Sequence, residues 1–292
     1  MKTVKQLTEE LELNEDLTSL MDVLKGIAAT EFWILQKKRK RFEEFILAFE
    51  GFFRFVDFID VQHPFVREQG DLAIIMITSD EGFMGGLNSR VITAALSYPG
   101  ADNAKLMIVG EQGANYLTAR GKRFTGFPGF KSDECYEASM KIKEYIMKEG
   151  LEGKFGRLVL FYPKPISFMI QQIEHLEVLP CNRLFEKESK KIKNWKDVII
   201  ESPIDNIIEY LVETWIVQKL FEVFEDSKLA ELSARALHLE ESYQMLIEQK
   251  KGLSHQFFRT RHELVDSEMR DMFSAQIVRK KSRGKISKKE EL

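Results

Sequence analysis

None of the seven prolines in this chain precedes Pro64, and none follows Pro203. Proline lacks a backbone N–H and its ring clashes with the preceding turn, so it ends or kinks a helix. Both ends of the chain are therefore free to form long helices, and the middle is not. Between Pro203 and Gly284 the only glycine is Gly252. A helix of about 80 residues reaches roughly 120 Å, far beyond the diameter of a small domain. Such a helix cannot bury its apolar face within its own globule. It needs a partner helix or a partner protein.

The ends also carry the pattern that such a pairing requires. Leu17, Met21, Leu24, Ala28, Leu35, Phe42, Phe45, Phe49, Phe52, Val56 and Ile59 recur at steps of three and four, with Glu31 and Lys38 interrupting. Leu229, Leu232, Ala236, Leu239, Tyr243, Leu246, Leu253, Phe257 and Leu264 hold one register near the C-terminus, broken by Lys250 and Thr260. An apolar period of 3.5 residues marks helices packed along a supercoiled seam. Ser202-Pro203-Ile204-Asp205 reads as a helix start, with Ser as N-cap and Pro at the first helical position. The two helices are expected to pair antiparallel, with Leu24 and Ala28 facing a seam that includes Leu232, Ala236, Leu239 and Leu246.

The middle alternates strand and helix signals. Asp71–Thr78, Lys105–Val109, Arg157–Tyr162, Phe168–Leu179 and Asp197–Ile200 read as strands, while Leu87–Leu96, Glu111–Arg120 and Glu134–Lys148 read as helices. Apolar runs buried on both faces and interleaved with helices indicate a mainly parallel α/β sheet. The expected fold class is α/β: an antiparallel coiled coil of long terminal helices with an inserted α/β domain. The expected divisions are an N-terminal shaft helix at 1–62, the α/β domain at 65–202, a C-terminal shaft helix at 203–283 and a basic disordered tail at 284–292.

Composition narrows the functions. The chain has 43 Lys+Arg against 46 Asp+Glu, a formal net charge of −3, which excludes a globally basic surface for nucleic acid. Cys135 and Cys181 form no CxxC and read as ordinary thiols of a reducing compartment. The five histidines include no HxxxH or HExxH pair, so a zinc hydrolase has no support. No apolar run approaches the ~18–20 residues needed to span a bilayer. The acidic start MKTVKQLTEELELNED resembles neither a signal nor a transit peptide. The expected location is cytosolic or docked on a membrane from the cytosolic side.

Thr78-Ser79-Asp80-Glu81-Gly82-Phe83-Met84-Gly85-Gly86-Leu87-Asn88 joins a strand to a helix. Glycine-rich turns at such a junction can cradle phosphate on the helix N-terminus. This spacing is neither GxGxxG nor a Walker loop, so a tight structural turn is the expected role. The seven phenylalanines of Phe42–Phe58 are expected to pack along the shaft, because Glu50, Arg54 and Asp57 interrupt them. Glu240, Glu241, Glu248, Glu263 and Glu268 read as a solvated helix face. The tail Arg279–Leu292 carries a local excess of five positive charges, suited to acidic protein, lipid headgroups or solubilisation.

TSDEGFMGGLNSRVITAAL (78–96) resembles the TSD-x-G-x-x-GGLN strand–turn–helix of F-type ATP synthase gamma subunits. Ile27-Ala28-Ala29-Thr30 with KKRKR (37–41) is similar to the VAAS stretch of that family's first helix. Ser233-Ala234-Arg235-Ala236-Leu237-His238-Leu239 is similar to its AARMVAM segment, and Phe257–Phe273 resembles its terminal helix. The matches lie in order along nearly the whole chain. This chain departs from the family in its acidic first residues, in Met84 where Cys is common, and in about four extra residues at 225–232.

The resemblance implies a coiled coil beside a Rossmann-like domain. It also implies a non-catalytic rotor shaft surrounded by alternating alpha and beta subunits, with an epsilon-type subunit and the membrane c-ring at its foot. No catalytic, cofactor or metal residue and no cofactor are then expected in the chain itself, nor any direct bilayer insertion. Thr78, Ser79, Asp80, Gly82, Gly85, Gly86, Leu87 and Asn88 become a structural motif. Arg261, which matches an Arg of the family's terminal segment, and His262, which replaces a Gln, become a contact to a beta subunit. Two other classes stay open on the residues alone: an α/β enzyme binding nucleotide at Ser79–Asn88, and a non-rotary coiled-coil scaffold.

Overall fold

The computed structural model describes residues 2–39, 64–65, 70–181 and 203–287. The expected strand at Asp197–Ile200, the Phe42–Phe58 stretch and the Ser202 cap lie outside these residues. The contacts divide the chain into two units, Lys25–His238 and Met1–Leu24 with Leu239–Leu292.

The larger unit is built on a five-stranded sheet of β1 (Leu72–Ile77), β2 (Lys105–Val109), β3 (Thr125–Phe127), β4 (Arg157–Pro165) and β5 (Gln171–Leu179), in the order β3-β2-β1-β4-β5. β1, β2, β3 and β4 are mutually parallel, and β5 closes the edge antiparallel to β4. The helices of the middle region are α2 (Leu87–Leu96), α3 (Glu111–Ala119) and α4 (Cys135–Leu151). The period-two geometry of a strand sends alternate side chains to opposite faces. Ile74, Met76, Leu106 and Ile108 accordingly pack on Val91, Ile92 and Leu117 of α2 and α3. On the other face Ala73, Ile75, Ile77 and Met107 pack on Ile142 and Ile146 of α4.

Three strands differ from the sequence reading, β4 by running past Tyr162 to Pro165. β3 went unread because three residues, Thr-Gly-Phe, are too short to show a period; β2 supplies its ladder through Met107↔Thr125 and Val109↔Phe127. The strand expected from Phe168 begins at Gln171, because Ile166 and Ser167 take backbone bonds to Ile170 and form a tight hairpin end.

Two helices frame the chain, α1 (Val4–Arg39) and α5 (Ile204–Ser287). α1 starts in a reciprocal cap: the Gln6 N–H donates to Thr3 Oγ1 at 3.3 Å, and the Thr3 N–H donates to Gln6 Oε1 at 3.0 Å. α5 begins one residue later than read, with the Pro203 carbonyl accepting its first bonds from Asn206 and Ile207. It passes through Gly252 and Gly284, since one glycine costs a helix only ~1 kcal/mol. Gly284 to Ser287, placed in the tail from sequence, are thus helical.

In the larger unit Val212, Trp215, Ile216, Leu220, Val223 and Phe224 of α5 lie in the same core as β1 and α4. Beyond them Leu229 and Leu232 pack on Phe32 and Leu35 of α1, bordered by Phe168. In the smaller unit Leu7 and Leu253 are buried, and Lys250 pairs with Glu15 at 3.0 Å. Within each unit, then, a stretch of α1 lies against a stretch of α5, as two long helices sharing a seam require.

The line that α5 turns inward runs through Leu229, Leu232, Ala236, Leu239, Tyr243, Leu246, Lys250, Leu253, Phe257 and Thr260, with Tyr243, Leu246, Lys250, Phe257 and Thr260 only half-buried. From Arg261 to Ile277 every side chain is exposed, Leu264 included. On α1 the line is Leu7, Leu11, Asn14, Thr18, Met21, Lys25, Ala28, Phe32 and Leu35. Ala28 is buried and Leu24 half-buried, whereas Leu17 is exposed. Glu31 is no interruption of the seam, because the seam passes through Phe32. The two registers give opposite predictions for single substitutions. Phe32→Ala should destabilise the chain by about 3 kcal/mol or more, the usual cost of emptying a buried phenylalanine site. Leu17→Ala should cost within about 0.5 kcal/mol. Denaturant titration of both variants measures the difference, and equal costs would place Leu17 in the seam.

Candidate functional site: the glycine turn on helix α5

β1 ends where its backbone must leave the sheet and enter α2. Thr78 stays in the ladder: its N–H and Oγ1 both donate to the Val109 carbonyl, at 2.9 and 2.6 Å. Ser79 and Asn88 then close the turn across its base. The Asn88 side chain accepts from the Ser79 N–H at 3.3 Å and donates to Ser79 Oγ at 2.9 Å. Gly86 supplies the left-handed cap of α2, with φ 82°, a conformation glycine adopts without steric cost. Phe83 holds φ 63° although it has a side chain, and its ring is exposed. A non-glycine residue in that region is strained and persists only where its surroundings over-determine it.

Asp80 reaches across to the next two loops. Its Oδ1 accepts from the Glu111 N–H at 2.8 Å, at the start of α3, and from the Gly129 N–H at 3.1 Å. A carboxylate at a helix N-terminus satisfies donors that have no partner within the helix. Gly110 sits under the turn so closely that an added Cβ would meet the Thr78 carbonyl oxygen at 2.5 Å. Only glycine allows the β2–α3 connection to approach β1 in this way.

The turn is seated on α5. Met84 and Leu87 pack on Ala234. Arg235 donates to Glu81 and to Glu231, each at 2.8 Å, and Glu231 also pairs with Lys228 at 2.8 Å. Gln171 Nε2 donates to Ser233 Oγ at 3.0 Å, which fixes β5 to the same stretch. His238 lies beside Gly85, within ordinary van der Waals reach of a side chain added there. The two sequence stretches Thr78–Asn88 and Ser233–His238 therefore form one joint between the sheet and α5. Sequence reading found both stretches but not the joint. Charge pairing between Glu81 and Arg235 leaves no local periodicity, and the Asp80 clamp shows in sequence only as an Asp beside a turn.

This geometry does not make a phosphate cradle. Thr78, Ser79 and Asn88 spend their polar atoms on one another and on the backbone. The enclosed space between them and Ser227 to Glu231 is about 10 Å³, room for roughly one water. The outer depression, about 390 Å³, is lined by Gly82 to Asn88 and His238, with no lysine or arginine to meet a phosphate. The two thiols are no nucleophiles either. Burial pushes Cys135 and Cys181 up to about 12. Arg261 and His262 lie exposed on the smaller unit's part of α5 and are not part of this joint. No described helix is long and apolar enough to cross a membrane. Replacing Asp80 with Ala should cost about 1–3 kcal/mol, because two amides lose a charged acceptor. Calorimetric titration of the chain with ATP should meanwhile give no micromolar affinity. Micromolar binding abolished by Gly85→Ala would make the turn a nucleotide site.

Comparison with known proteins agrees along the full length. The family model described as ATP synthase matches residues 3–276. The ATP synthase gamma chain of Ruminococcus albus is 25% identical over 289 residues, covering 95% of this chain and 98% of that one. The gamma chain of Desulforudis audaxviator is 26% identical over 226 residues, covering 73% and 77%. Among solved structures, a chain of the Euglena gracilis mitochondrial ATP synthase in rotational state 3 superposes with a TM-score of 0.70 at 13% identity, covering 94% of both chains. A chain of the rotor of the same enzyme in rotational state 1 gives 0.65 at 14%, covering 90% of this chain and 98% of that one. The fold is thus shared at identities too low to carry more than fold, and the family rests on the whole-length match: the chain belongs to the ATP synthase family, among its gamma chains.

Proposed function

We propose that this chain is the central-stalk rotor of a rotary ATP synthase, a non-catalytic subunit that couples ion flow through a membrane ring to ATP synthesis or hydrolysis elsewhere in the complex. The observation that carries this reading is α5. One continuous helix belongs to the sheet core at Val212–Phe224, to the coiled coil from Leu229, and is exposed on every side from Arg261 to Ile277. Val265, Met269, Met272 and Phe273 fall on one face of that exposed end, in line with the exposed Phe258 just before it. An isolated helix end with so many exposed large apolar side chains calls for a surrounding collar. Alternating alpha and beta subunits would form it, with an epsilon-type subunit and the c-ring as the remaining partners. The rotor would then sit peripherally on the cytoplasmic face of the membrane, its shaft helices at 1–62 and 203–283 and its α/β domain at 65–202.

Catalysis by such a complex depends on one asymmetric surface favouring a different nucleotide state at each site it faces. Arg261 and His262, both exposed, would contribute to that asymmetry. The exposed guanidinium offers five donors to a carboxylate on a beta subunit. A hydrogen bond of that charge-assisted kind is worth about 1.5–3 kcal/mol. Because a rotor turns past its partners, the bond forms at some angles only.

The reading predicts that the chain co-purifies with alpha and beta subunits and that alone it hydrolyses no ATP. Arg261→Ala should leave assembly normal and lower coupled turnover. A cysteine placed at 261 and cross-linked to a beta subunit should stop turnover, with reduction restoring it. Purification without those subunits, or unchanged turnover with the link intact, would count against the rotor assignment. Removal of residues 279–292 should leave most of the ATPase rate, because that stretch lies past the matched 3–276 segment.

A further inference from the structure

α1 has a second apolar line besides its buried one. Leu13, Leu17, Leu20 and Val23 are all exposed, at 59%, 36%, 49% and 60%. Their steps of four, three and three keep them on one side of the helix. At 100° per residue that side lies roughly 115° around the axis from the line of Leu7, Asn14 and Met21. α5 therefore satisfies one face of this stretch and leaves the other bare. Residues 9–23 also hold six carboxylates, Glu9, Glu10, Glu12, Glu15, Asp16 and Asp22, and no lysine or arginine. Glu10 pairs with Lys2 at 2.6 Å and Glu15 with Lys250 at 3.0 Å, while Glu12 and Asp16, exposed, border the bare apolar line.

We propose that Leu13, Leu17, Leu20 and Val23, rimmed by Glu12 and Asp16, dock an amphipathic helix whose own apolar line is flanked by lysine or arginine, contributed by another subunit of the complex. The source of the partner rests on the rotor reading; its chemistry does not. A stripe at near-heptad spacing accepts the knobs of a facing helix. An acidic rim selects a basic one, since opposite charges beside a seam stabilise the pairing and like charges oppose it. The same rim argues against two other occupants. A second copy of this chain would bring its own carboxylates to the contact, and an anionic membrane surface repels them.

The test uses the assembled complex with a photoreactive benzoylphenylalanine replacing Leu20, irradiated and mapped by mass spectrometry. The expected product joins position 20 to a helical segment of another subunit that carries lysine or arginine at its flanks. The same residue placed at Met21 should cross-link within the chain. Combining Glu12→Lys with Asp16→Lys should lower the inter-subunit yield about fivefold or more, while the variant still co-purifies with alpha and beta subunits. Salt at about 0.5 M should lower it in the same direction, because exposed pairs are screened. Any other attachment overturns the proposal: to lipid, to a second copy, to residues 279–292 of the same chain, or to an acidic segment. So does a complex that forms without the cross-link, or a yield indifferent to the charge reversal. A formed complex without the link removes this inference and leaves the rotor reading standing, whereas a chain that assembles with no other subunit removes both.

Discussion

The burial of Val212, Trp215, Ile216, Leu220, Val223 and Phe224 against β1 and α4 makes α5 a component of the sheet's own core. Full burial of a side chain of this class stabilises by about 1.5–3 kcal/mol. Six of them exceed the net stability of many domains, so the root of α5 cannot leave the sheet without unfolding the unit. Within this unit the stretch of α5 up to His238 inherits its orientation from that attachment. The seam with α1 at Phe32 and Leu35 begins where the core residues stop.

The glycine turn reinforces the same attachment at the C-terminal end of β1. Asp80 ties it to α3 and to the loop at Gly129, and Arg235 ties it to α5 between two carboxylates. Each of these bonds alone is modest, but together they leave Phe83 in a backbone conformation it would not otherwise keep. A turn that resembles a phosphate loop by composition is consumed by mechanical joining. Its polar atoms point inward, its outer depression lacks a cation, and its glycines serve close approach and a left-handed cap. The same residue types in a nucleotide enzyme would leave amides and a lysine facing outward.

Heptad arithmetic put Leu232, Ala236, Leu239 and Leu246 on the one apolar stripe of α5 over this stretch, where the first three are buried and Leu246 is half-buried. It blurred on α1 because that helix has two. Leu17 and Leu24 lie between or on the outer stripe, and a single-register reading averaged the stripes into one seam. The outer stripe is invisible to a hydrophobic count and visible only when burial separates what α5 covers from what it leaves bare.

Proline placement, the paired heptads and the apolar runs of β1, β2 and β4 were enough to determine a long-helix hairpin with an inserted α/β domain. Those signals are local: they depend on backbone chemistry and on periodicities within one element. Pairings between distant elements were decided by the tertiary structure alone. The seating of Thr78–Asn88 on Ser233–His238, the Glu81–Arg235 pair, the edge strand Thr125–Phe127 and the choice of Phe32 over Leu17 for the seam each depend on which surfaces meet in space. An ion pair, a ladder bond or a buried ring takes its partner from packing, and sequence separation says nothing of that partner until the chain has folded.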